Sequence, residues 1–105
     1  MQYLVHASGG PGFASPEETL AILEQGILPT FEALLDLERK GSIVAGGLPA
    51  GDRAFVFIAE ADDNDAVDRL VRDLPAWGVL DWAITPLQTF AGRAAIECAV
   101  VERHS

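Results

Sequence analysis

Hydrophobic and polar positions divide the 105-residue chain into two copies of strand–helix–strand followed by a tail. Residues 2–7 (QYLVHA) read as a first strand. Ser15-Pro16-Glu17-Glu18 opens a helix, with Ser15 as N-cap, Pro16 at the first helical position and Glu18 closing a capping box. Leu20, Leu23, Ile27, Phe31, Leu34 and Leu35 then recur at helical spacing, with Gly26 and Pro29 inside the pattern. A proline there clashes with the carbonyl four residues back, which predicts a kink or break. Gly41 ends this helical region. Residues 42–48 form a second strand, LPAGD a turn and residues 53–60 a third strand. The stretch ADDNDAVDRLVRDLP is a second helix, acidic at its start and basic later, as the helix dipole favours, and Pro75 stops it. Residues 79–87 are the fourth strand. The tail AGRAAIECAVVERHS reads as helix on its alanines, although a strand is tolerable.

The order β-α-β-β-α-β is the ferredoxin-like α+β plan, a single domain over residues 1–105 with 88–105 as a C-terminal extension. Both helices then lie on one face of a four-stranded antiparallel sheet. The third strand asks for more. Ala54, Phe55, Val56, Phe57, Ile58 and Ala59 are apolar at every position, so both faces of the sheet want cover. Phe55 and Phe57 are expected to divide between the helix-side core and the second face. Strands ~4.8 Å apart and roughly five residues long make a face of ~300 Å² or more, near the limit of what a monomer exposes. The expected cover is a second copy, sheet on sheet: a homodimer, alone or within a larger homo-oligomer. The tail, apolar at Ile96, Val100 and Val101, is expected to pack on that partner.

Composition narrows the partners. Sixteen Asp and Glu against seven Lys and Arg leave a net charge of −9, which repels phosphate backbones and argues against nucleic acid. Cys98 is the only cysteine, so neither an internal disulfide nor a thiolate zinc site is available. No apolar run approaches the ~20 residues that span a bilayer, and Met1 runs straight into strand-like sequence. The expectation is a cytoplasmic protein away from the membrane.

Two stretches carry a family resemblance. LVRDLPAWGVLDWAITPL (residues 70–87) couples a helix end, Leu-Pro, an aromatic and a strand with an Asp near its start. LERKGSIVAGG (residues 37–47) is a helix-to-strand joint. Together they resemble the dimeric α+β barrel superfamily, and within it muconolactone isomerase-like proteins; the second stretch also resembles YCII-type proteins. The resemblance implies paired ferredoxin-like sheets and a small-molecule isomerase. Muconolactone isomerase carries arginines in its second strand, and YCII-type proteins carry a histidine in the first helix. Here SIVAGGL has no arginine, and Thr30 and Phe31 stand in the histidine's region.

Candidate chemistry gathers at one end of the sheet. His6 lies near the end of the first strand. The fourth strand, antiparallel beside it, brings Asp81 within reach. A carboxylate beside an imidazole fixes its tautomer and raises its basicity, which suits proton abstraction next to a carbonyl. The alternative is a strand histidine satisfied by backbone and an edge-strand charge that discourages sheet aggregation. Trp77 and Trp82 could wall a flat ligand or serve core and interface. Tyr3 could donate to an oxyanion or pack in the interface. The loop SGGPGFASPEE lacks the GxGxxG spacing, and Glu17 and Glu18 oppose a phosphate, so residues 8–14 read as a lid with Phe13 as its apolar contact. The carboxylates of residues 60–68 lack the spacing and central glycine of a calcium loop, so neither metal nor cofactor is expected. Two function classes follow. One is a cofactor-free isomerase or cyclase acting on a small carbonyl or lactone compound; the other is a non-catalytic binder of a small organic ligand or an assembly protein of the same fold.

Overall fold

The computed structural model describes residues 1–9 and 15–104. The elements run β1 (Gln2–Ser8), α1 (Pro16–Ile22), a π-helical turn (Leu23–Ile27), α2 (Leu28–Arg39), β2 (Ile43–Gly47), β3 (Phe55–Glu60), α3 (Asn64–Arg72), β4 (Asp81–Leu87) and α4 (Phe90–Arg103). The four strands form one antiparallel sheet in the order β2-β3-β1-β4. This is the α+β ferredoxin-like arrangement, with an additional C-terminal helix.

The Ser15 cap acts where the sequence places it, its hydroxyl accepting from the Glu18 amide, and the structure adds a second cap at the start of α3, where the Asp63 carboxylate accepts from the Ala66 amide. Gly41, at φ +83°, provides the left-handed exit from α2. At Pro29 the regular α-helix is interrupted: the chain widens into a π turn just ahead of the proline, where the Leu28 amide donates to the Leu23 carbonyl five residues back. The π turn leaves Pro29 in the first turn of α2, where a missing N–H costs no helical bond.

Alternation along β1 and β3 separates two faces. Tyr3, Val5, Ala7, Phe55, Phe57 and Ala59 are buried under the helices together with Val67, Val71 and Leu74. Phe55 and Phe57 therefore share the helix-side core, and do not divide between the faces: side chains two apart along a strand point the same way. The second face is carried by Leu4, His6, Val56, Ile58, Ala83 and Thr85, and among the described residues no element lies over it. Val44 forms a bulge in β2, and Gly46 follows where β2 closes tightly on β3.

The tail is a helix. Thr89 caps it by accepting from the Gly92 amide, and Arg93 pairs with Glu97 one turn on, at 2.9 Å. α4 projects from the body. The Cα radius of gyration is 17.4 Å and the long axis 64 Å, against roughly 13 Å expected for a compact chain of this size. Among the described residues, no helix is long and apolar enough to cross a membrane.

Candidate functional site

The end of β1, the start of β4 and the helical turn after α1 converge at one end of the sheet. In register, His6 pairs with Ala83 and Val56, and Asp81 pairs with Ser8. Paired residues share a face, and so do residues two apart. His6 and Asp81 therefore stand on the same open face as diagonal cross-strand neighbours, a relation that sets side chains roughly 7–8 Å apart. No hydrogen bond or ion pair joins them in the single chain, and both are exposed. His6 rises between Val56 and Ala83, so its immediate floor is apolar. The Asp81 carboxylate lies against Gly9, where an added Cβ would sit 3.4 Å from Oδ2. Gly9 adopts φ +70°, a conformation that glycine takes without strain.

The other predicted site residues go elsewhere. Tyr3 is fully buried on the helix face, and its hydroxyl donates to Asn64 Oδ1 at 3.0 Å, near the opposite end of β1 from His6. Burial pushes its phenol pKa up, and the negative charge of Asp63 adds to the shift. Trp82 is half-buried against the helix-side core, and its indole N–H donates to the Trp77 carbonyl at 3.1 Å. It thus lies across the sheet from His6. Trp77 sits in the turn before β4 with the Arg72 guanidinium 4.8 Å above its ring. Phe13 lies outside the described residues, as does most of the loop read as a lid. Among the described residues of the predicted constellation, His6 and Asp81 are the two that share the open face.

On the helix side of the same end lies a cavity of about 210 Å³. Ile22, Leu23, Ile27, Phe31, Phe55 and Leu80 line it, with Asp52 and Arg53 as its charged groups. Sequence patterning missed this cavity, because it arises from the π turn, which needs the three-dimensional path around Gly26 and Pro29. Gly26 is buried there against Val79. Thr30 holds the arrangement. Its hydroxyl donates to the Gly26 carbonyl and accepts from the Ala76 amide, each at 2.8 Å, and so ties the π turn to the segment leading into β4. Thr30 is fully buried, and a polar residue inside an otherwise apolar helical stripe was its sequence signal. Among the described residues, no group of three or more His, Cys, Asp or Glu side chains could hold a metal ion.

Comparison with solved structures finds muconolactone isomerase, 20% identical with a TM-score of 0.70, covering 85% of this chain and 90% of that one. It also finds 5-chloro-2-hydroxyhydroquinone dehydrochlorinase from Burkholderia phenoliruptrix AC1100, in complex with 2,5-dihydroxybenzoquinone. That chain is 21% identical with a TM-score of 0.64, and the match covers 88% of this chain and 98% of that one. Both likenesses establish the fold. No curated protein matches the sequence. The muconolactone delta-isomerase family matches residues 1–92, which is most of the chain and all four strands, and the protein belongs to that family.

Proposed function

We propose that the protein is a cofactor-free, isomerase- or cyclase-type enzyme that moves a proton on a small carbonyl or lactone compound. The observation that carries this reading is the register of β1 and β4, which sets an imidazole and a carboxylate diagonally on one apolar face. His6 takes a proton from the carbon next to the carbonyl, Asp81 orients the imidazole and balances its charge, and the resulting enolate takes the proton back at another carbon. No electron leaves or enters the substrate. Family membership and the likeness to an isomerase and a dehydrochlorinase acting on small organic molecules support the class.

In the single chain this face is open, and a base flanked by solvent gains little. The reading therefore includes a homodimer, with a second copy stacked on the open face to exclude water from His6. The test is a panel of small unsaturated lactones and hydroxyquinones followed by absorbance. His6→Ala should abolish turnover of the active compound while leaving the melting temperature within a few degrees. Asp81→Asn should retain reduced turnover. Unchanged turnover in His6→Ala would refute the assignment.

The helix-side cavity supports a second reading, a binder without chemistry. At about 210 Å³ it exceeds the ~150 Å³ apolar cavity that accommodates a benzene ring. Tight binding of a panel compound without conversion, unaffected by His6→Ala, would favour this reading over the enzyme.

A further inference from the structure

A second cavity, of about 160 Å³, adjoins the first beneath α2. Leu34, Leu35 and Glu38 line it from one face of the helix, and Gly46 and Phe57 line it from the tight crossing of β2 on β3. Phe31, Leu48 and Phe55 line both cavities, so these side chains form the wall between them. Phe55 is buried in the core, and Leu48 is exposed in the loop after β2. Phe31 is half-buried and leans on Phe55, with ring centroids 5.3 Å apart and planes tilted by 59°, a favourable aromatic contact. Its backbone is fixed from the adjacent position, because the Thr30 hydroxyl bonds both the Gly26 carbonyl and the Ala76 amide. The ring therefore stands at a defined place, between two apolar spaces that would otherwise run together.

We propose that Phe31 is a specificity-determining residue that sets ligand length: its ring confines a ligand to the cavity beside the π turn and keeps it out of the adjoining one. The inference rests on the reading of the first cavity as a binding site and adds what that site accepts. At about 210 Å³ the first cavity has room for one ring with small substituents, since ~150 Å³ already accommodates benzene. A longer unbranched substituent needs the space beyond Phe31. Charge sets the orientation. Asp52 and Arg53 border the first cavity and can meet a polar substituent, whereas Glu38 borders the second and repels an anionic chain end. The ligand class is a single-ring compound with a polar group at one end and a compact, uncharged group at the other. An alkyl tail is the feature that the ring rejects.

Calorimetric titration of the full-length protein with 4-methylphenol and 4-hexylphenol tests this. The wild type should bind 4-methylphenol and should bind 4-hexylphenol about tenfold more weakly. Phe31→Ala opens the wall, so its affinity for 4-hexylphenol should rise about tenfold while that for 4-methylphenol stays nearly unchanged. Phe31→Leu keeps an aliphatic side chain in place and should shift the ratio in the same direction by less; it carries the test if the alanine variant fails to fold by circular dichroism. Leu35 lines the second cavity from an exposed position, so adding Leu35→Trp to either variant should refill that space and restore the wild-type preference. A wild type that binds both phenols equally, or Phe31 variants that keep the wild-type ratio, overturns the partition and leaves the cavity standing as a binding site. A wild type that does not bind 4-methylphenol overturns the cavity reading and the partition with it.

Discussion

Thr30 offers the sharpest test of how the helix side of the site is held together. Thr30→Val keeps the volume and β-branching of the side chain and deletes the hydroxyl. Two hydrogen bonds of 2.8 Å disappear, and the buried amide of Ala76 loses its acceptor. A buried donor left without a partner costs about 1–3 kcal/mol, partly offset by the added methyl. We therefore expect a loss of about 2 kcal/mol. For a domain of this size, that is a fall in melting temperature of roughly 10 °C. Thr30→Ser keeps both bonds and removes one methyl, so it should lose about 1 kcal/mol. Urea denaturation followed by tryptophan fluorescence reads both variants, because Trp77 and Trp82 flank the tethered segment. Valine matching the wild type within 0.5 kcal/mol would show that this clamp does not stabilise the π turn.

The remaining predictions concern the two faces and the buried ends of the sheet. Phe57→Asp puts a charge into the helix-side core and should unfold the chain, since truncating a buried phenylalanine alone costs about 3–5 kcal/mol. Ile58→Asp, one residue on, should leave a folded monomer by circular dichroism and fail to associate; equal unfolding by both variants would contradict the assignment of faces. A Cβ at Gly46 would meet the Phe57 Cβ at 2.5 Å and the Val56 carbonyl at 2.7 Å, so Gly46→Ala should cost about 1–3 kcal/mol in thermal melts. Tyr3 has a folded pKa raised above its ordinary value of 10.0, so the neutral phenol is favoured by folding. Its contribution is intact below pH 10 and is lost as pH rises through the higher folded value. Stability measured from pH 8 upward should fall in the alkaline range, and Tyr3→Phe should flatten that fall while losing the bond to Asn64.

Much of the architecture follows from local pattern alone. Strand order and element type are legible because alternation, caps and turn residues act within a few positions: Ser15 and Gly41 each terminate a helix by contacts to their own neighbourhood. The unbroken apolar run of β3 likewise shows that the sheet has two apolar faces, since composition at successive positions is local information. The assignment of Phe55 and Phe57 to different faces failed for a reason also local, the twofold period of a strand, and Val56 and Ile58 are the residues of the open face. Other features depend on contacts between segments far apart in the chain. The π turn relieves Pro29, and Thr30 reaches 46 residues forward to Ala76, so neither the cavity nor its clamp is written in any window of sequence. Tyr3 and Trp82 leave the predicted constellation because each follows its strand's parity onto the helix side. His6 and Asp81 remain together because antiparallel pairing of β1 and β4, a tertiary event, sets them on one face. Local periodicity can specify which side chains share a face of one strand; only the register between strands decides which of them meet.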